Sequence, residues 1–577
     1  MAKKLVVLLV FAAAIGFGVR SQWPKYSVNI PEYTRPAQAV LLEQNWTAAQ
    51  RAAFHHTGQG TRLVPLAWFL ALEQPCVSLL ACGALADPGY LARFGFIPSN
   101  ENPDKLPVGF ARQDNFHDPV TKQSYPVVGL TCAACHTGEL FYGDYAVRIE
   151  GGPGMADLGV FQKALGLSLA FTKLIPGRYG RFERRVLGEN ATAAQKADLR
   201  NSVEAFLAQA MKEKKYTDEH GIYANQAGFG RTDALTRIGN QVFAVDLDRF
   251  SNFQAANAAV RFPQIWDAPW LDWVQYNSSI ADPLVRNIGE SLGVRAMLSP
   301  EDLDNSVDME GLVKLEDLLA GPAPFQGLTS PKWPAVFPPL DAAKVKSGQA
   351  LYQTHCQGCH LPPVEELAAD REKAEPRYWY KSSAGMAFLR VTDINIQEIG
   401  TDPRAALDFR NRTADSGPLK KGRLTAAEGL EVVTRAVATR YFEANRTPAE
   451  KRLAWAGYRT PGVEAVRDKL VYKARPLNGI WAVAPYLHNG SVPSLYLLLS
   501  PRKERPVKFW TGSKQYDPER VGFEAREVPG AFLYDTAAAG NSNAGHEFTD
   551  GPRGDGVIGP ALRVEERMAL IEYLKSL

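Results

Sequence analysis

Two copies of Cys-x-x-Cys-His, Cys132-Ala133-Ala134-Cys135-His136 and Cys356-Gln357-Gly358-Cys359-His360, are the residues in this chain whose type and spacing point most directly to chemistry. Two thiols three residues apart can form thioethers to the vinyl groups of a haem, and the following imidazole can then reach the iron. A zinc half-site or a redox-active dithiol would use the same thiols but would not need the histidine. Its recurrence in the same place twice predicts two covalently bound haem c groups. Cys132, Cys135, Cys356 and Cys359 are the expected attachment residues, and His136 and His360 the proximal iron ligands.

The remaining cysteines, Cys76 and Cys82, either form a small-loop disulfide or stay two buried thiols. The chain has 577 residues, 45% of them hydrophobic and 22% charged, with a formal net charge of +3. That composition predicts a globular protein with a large core, and the charge points to no nucleic-acid partner. Lys3 and Lys4 precede an uncharged, mostly apolar run from Leu5 to Val19, the pattern of a secretory signal or an uncleaved N-terminal anchor over residues 1–20. A periplasmic or secreted location, with a possible inner-membrane anchor, is therefore expected.

The elements that must position the motifs are partly legible. Asp341 stands where an N-cap would open a helix running towards His355, directly ahead of the second motif. Met568, Leu570, Ile571 and Leu574 fall at helical spacing in the last segment. These two stretches resemble the first and closing helices of a small class I cytochrome c. The Pro-rich run from Gly321 to Pro339 predicts a linker over 321–340, dividing an N-terminal haem lobe (21–320) from a C-terminal cytochrome-c-like lobe (341–577). Each half is more than twice the length a minimal haem-c domain needs. The expected fold is mainly α, with large helical and loop insertions and few short strands, the surplus shaping a substrate chamber.

The segment Ala484-Pro485-Tyr486-Leu487-His488-Asn489-Gly490-Ser491 resembles the Ala-Pro-Tyr-x-His-(Asn/Asp)-Gly-Ser stretch of the bacterial dihaem cytochrome c peroxidase superfamily. Gly58-Gln59-Gly60-Thr61, Gly230-Arg231-Thr232-Asp233 and Arg286-Asn287-Ile288-Gly289-Glu290 extend the similarity, most closely to its rubber-oxygenase-like branch, across most of the chain. The resemblance implies that His488 is the distal ligand of the C-terminal haem iron, alongside His360. His55, His56, His117, His220, His355 and His546 are expected to be structural.

The first motif departs from the peroxidase pattern. After His136 no histidine follows until His220, and Met155 alone offers a side chain in between. His136 is then the only strong protein ligand of its iron, which is expected to be open. Trp266, Trp270 and Trp273 lie at helical spacing, usually a buried face. The resemblance allows one of them, Trp266 first, to bridge the haems or line the distal pocket. Arg231, Arg286 and Asn287 either pair with haem propionates or make ordinary ion pairs.

The function implied by the resemblance is a dioxygenase at the N-terminal haem, acting on an apolar olefinic substrate. Polyisoprene is the substrate in one set of relatives and unsaturated fatty acids in another. The modest chain length tilts towards the smaller lipid. Hydrogen-peroxide reduction with a small redox protein as donor, and simple dihaem electron transfer, are the alternatives.

Overall fold

The computed structural model describes residues 27–577 apart from 103, 383–384 and 456–464. The expected leader over residues 1–20 lies outside the described residues. Among those described, no single helix is long and apolar enough to cross a membrane.

The architecture is mixed, with 39% helix and 17% strand, which corrects the expectation of a mainly α fold with few strands. The strands run from two residues (Val64–Pro65) to eight (Phe110–His117), and most are too short for a period of two to stand out in sequence. Two three-stranded sheets frame the first haem motif. In one, Ser124–Leu130 is flanked by Phe110–His117 and Val64–Pro65. In the other, Tyr145–Glu150 is flanked by Gln38–Leu41 and Thr137–Tyr142. Strand Ser124–Leu130 delivers the chain to the motif and strand Thr137–Tyr142 carries it away. The first motif therefore sits on a short 3-10 turn, Cys132–Ala134, between two sheets.

The second motif is held by helices. Asp341 caps Ala342–His355, its carboxylate accepting from the amides of Ala343 and Lys344 at 3.0 and 3.1 Å. The terminal helix Val564–Ser576 packs along it, burying Leu570, Ile571 and Leu574. Gly348 makes the approach possible, because a Cβ there would collide with the Ala569 carbonyl.

Apolar packing joins the two sequence halves. One core gathers Trp46, Phe54 and Val147 with Trp266, Tyr352, Trp481 and Leu570. A second joins Val242, Ile288 and Leu312 to Trp379, Phe409 and Val433. A third, around Phe69, Phe94, Phe110 and Phe161, belongs to the N-terminal half. Residues 321–340 contain neither helix nor strand, yet Leu328 and Phe337 are buried in the first core. This stretch is packed against both halves.

Trp266, Trp270 and Trp273 do not share a helix face. They lie on an irregular segment with one short 3-10 turn, Ala268–Trp270, and Pro269, which has no amide hydrogen to donate, falls inside it. Trp266 enters the first core and Trp270 the second, while Trp273 lies beneath the Arg467 guanidinium at 3.6 Å.

Candidate functional site

Both Cys-x-x-Cys-His motifs close in the same way. The amide of His136 donates to the Cys132 carbonyl at 2.9 Å, and that of His360 to the Cys356 carbonyl at 2.9 Å. Gly109 lets the first turn nestle into the sheet, its backbone lying too close to Ala134 for any side chain at a φ of +86°. Thr131, just before Cys132, donates its amide to the Gly109 carbonyl at 2.9 Å. Gln59, from the Gly-Gln-Gly-Thr stretch, accepts from the Cys132 thiol at 3.2 Å.

The two proximal histidines are oriented alike. His136 Nδ1 donates to the Pro263 carbonyl at 2.8 Å, and His360 Nδ1 to the Arg475 carbonyl at 2.9 Å. A carbonyl can only accept, so each ring carries its proton on Nδ1 and presents the Nε2 lone pair to a metal. Burial lowers both imidazoles, His136 to about 4, and keeps them neutral as iron ligands must be.

Burial raises all four motif thiols, Cys135 and Cys356 to about 12, whereas a redox-active pair depends on a lowered thiol. Among the described residues, the one grouping of three or more His, Cys, Asp or Glu side chains with metal-ligand spacing contains none of these cysteines.

The two motifs differ in the histidines that surround them. His546 faces His360 with ring centres 6.1 Å apart. Two imidazoles on opposite sides of one iron, each bonded at about 2 Å, have ring centres about 6 Å apart. The pair therefore fits a haem held from both faces. His546 Nδ1 is buried without a hydrogen-bond partner. Burial, then the facing His360, lowers the ring to about 3. Arg505 holds the turn that carries it, donating to the carbonyls of Asn543, Gly545 and His546 at 2.7, 2.8 and 3.0 Å.

His488, expected opposite His360, is placed elsewhere. Its ring stacks on Tyr472 at 4.1 Å between centres, with Tyr276 at 6.1 Å, and its carbonyl accepts the Arg261 amide at 2.9 Å. The loop that carries it is thereby tied to the segment holding His136. Nothing local in the sequence distinguishes His546 from the other scattered histidines; the pairing arises from the packing of the C-terminal loops.

His136 has no such counterpart. Its ring neighbour is Phe262, at 6.5 Å between centres. All nine histidines are among the described residues, and the others are engaged away from it. His55 binds Glu150, His56 faces the Phe110 carbonyl, His117 binds Asp304, His220 bonds Tyr216 and His355 lies beside Phe548.

Arg475 links the two proximal sides. Its carbonyl accepts from His360, and its guanidinium donates to the Gln264 carbonyl at 2.7 Å, one residue beyond the Pro263 carbonyl that holds His136. Its Nη2 lies 3.7 Å from the buried Asp267 carboxylate, while its Nε is buried without a hydrogen-bond partner, as is the Trp266 indole nitrogen. Unpaired buried donors of this kind suit haem propionates. Trp266 lies against Gly479, so it sits between the segment that orients His136 and the one that orients His360. Arg286 and Asn287 instead share the Glu316 carboxylate, the ordinary ion-pair arrangement. Arg231 donates to the Ala227 and Ala259 carbonyls and to Asn541. Glu290, which no spacing singled out, accepts from Gln275 at 3.1 Å, and burial raises its carboxyl beside Cys132 and Cys135. Cys76 and Cys82 form the disulfide.

This site defines a cytochrome-c-type haem oxidoreductase, and residues 471–511 match the RoxA-like, cytochrome c-like family. That stretch contains both Arg475 and His488. The chain belongs to the same family as the uncharacterized protein y4iJ of Sinorhizobium fredii (strain NBRC 101917 / NGR234), with 43% identity covering 99% of this chain and 98% of the relative. The uncharacterized protein y4iM of the same organism is 27% identical over 54% of this chain and 63% of its own length.

Proposed function

We propose that the chain is an exported enzyme with two covalently bound haem c groups, one at each Cys-x-x-Cys-His motif. It acts as a dioxygenase on an apolar olefinic substrate, an unsaturated fatty acid or polyisoprene, beside His136. The C-terminal group, held by Cys356, Cys359, His360 and His546, relays electrons. The observation that supports this division is the asymmetry of the histidines: among the described residues His360 has the His546 ring across from it, whereas the ring beside His136 is Phe262.

Bound haem supplies an electron-exchanging iron that, where a coordination position stays open, takes up dioxygen or peroxide. The chain's own residues do the rest. Pro263 fixes the His136 ring through Nδ1. Phe262 lends the ring an apolar neighbour, and burial keeps the imidazole neutral. Burial raises the Glu290 carboxyl near the first motif. Arg475 joins the two proximal sides through its carbonyl, which accepts from His360, and its guanidinium, which donates to Gln264, and Trp266 packs beside Gly479 on the same stretch.

Oxygen uptake by the purified holoprotein with oleate or polyisoprene tests the reading, alongside peroxide turnover with a reduced small cytochrome. Substrate-dependent oxygen consumption with an oxygenated product supports it. Peroxide-dependent oxidation of the cytochrome without oxygen uptake would replace it with a peroxidase, and neither activity with an electron carrier.

A further inference from the structure

Away from the haem motifs, His55, His56 and Glu101 bring three potential ligand atoms within 4.8 Å of one another. The helix Ala48–His56, opened by a Thr47–Gln50 capping box, ends on the two histidines. Their rings meet edge to face with centres 5.9 Å apart.

The His55 ring is fully buried, and its Nε2 lies 2.7 Å from Glu150 Oε2. A carboxylate can only accept, so that contact puts the proton on Nε2 and leaves a lone pair on Nδ1. Glu150 is itself buried, with Arg51 Nε 3.2 Å from its other oxygen. His55 Nδ1 has no hydrogen-bond partner despite its burial, and the group it faces is the Glu101 carboxylate, 3.9 Å away. An unpaired lone pair in that setting is costly unless something accepts it. His56 Nδ1 lies 3.2 Å from the Phe110 carbonyl and 3.3 Å from the Asn102 amide nitrogen, and its Nε2 lies 3.3 Å from the Ser99 hydroxyl, a contact that a metal on Nε2 would displace. The Glu101 side chain is 51% exposed, so the cluster opens to solvent on that side.

Two imidazoles and one carboxylate, with a buried second carboxylate fixing one ring through its far nitrogen, form the donor set of a zinc site that keeps one position open. We propose that His55, His56 and Glu101 bind a single divalent transition-metal ion, zinc, with Glu150 as the outer carboxylate. Ligands around tetrahedral zinc stand about 3.3 Å apart, so binding draws the exposed Glu101 side chain inward while the buried His55 stays in place. The His55 carbonyl accepts from the Gly109 amide at 3.0 Å, and Gly109 in turn receives the Thr131 amide beside Cys132. A metal here braces the backbone that carries the first motif. This site stands independently of the activity proposed above.

The test uses untagged holoprotein, chelator-treated and then supplied with zinc alone. Metal analysis should find one zinc per chain in addition to the haem iron, and X-ray absorption at the zinc edge should show two imidazole nitrogens with oxygen ligands. Glu101→Gln and His56→Gln should each weaken zinc binding at least tenfold while the haem absorption spectrum is unchanged. His117→Gln, on a different surface pair, should leave it intact. No zinc uptake, uptake indifferent to both variants, or a zinc edge without two imidazoles would overturn the proposal.

Discussion

His360 and His546 face one another with ring centres 6.1 Å apart, brought together from a helical motif and a distant loop. If this pair holds one haem iron from both faces, His546→Ala should convert the C-terminal haem from low spin to high spin. His488→Ala should leave the low-spin signal in place, because that ring is stacked on Tyr472. Electron spin resonance of both variants decides between the two histidines, and the wild type should show a single bis-histidine centre.

Arg475 offers a second measurement. Arg475→Gln removes a buried cation and the guanidinium contact to the Gln264 carbonyl. A buried positive charge favours the reduced, more electron-rich state, so haem reduction potentials should fall in the variant. Potentiometric titration checks the sign. Trp266→Phe should slow electron transfer between the haems with the absorption spectra unchanged. Stopped-flow rates equal to wild type would remove Trp266 from the path.

Acid stability should depend on Glu73. Burial by itself would raise this carboxyl, but Arg181, at 2.8 and 3.0 Å, and Arg178 outweigh it and hold it at about 2. A carboxyl lowered on folding stabilises the protein above its ordinary range, near 4.5, and that contribution is lost as pH falls towards 2. Glu73→Gln should flatten the loss of melting temperature over that window. It should also destabilise the protein at neutral pH by about 3 kcal/mol, since Arg178 and Arg181 lose their shared carboxylate.

Gly348→Val should cost about 2 kcal/mol through overlap with the Ala569 backbone. Because the helix Ala342–His355 leads straight into the second motif, haem occupancy should fall at Cys356 and Cys359 more than at Cys132 and Cys135. Mass spectrometry of haem peptides measures both.

The sequence by itself determined what is local. The Cys-x-x-Cys-His turns follow from spacing within five residues, and the Asp341 cap and the apolar stripe of Val564–Ser576 from the helical period. Tertiary structure decided what depends on partners far along the chain. It set His546 against His360, stacked His488 on Tyr472, and left His136 beside Phe262. It also drew His55 and His56 to Glu101, and replaced a presumed tryptophan face with an irregular segment entering two cores. An imidazole carries no local mark of the ring it will meet. That choice belongs to loops whose course is set by packing and by buried cations such as Arg505, whose hydrogen bonds go to the backbone carbonyls of Leu497, Leu498, Asn543, Gly545 and His546, acceptors that every residue carries and that no side-chain pattern marks.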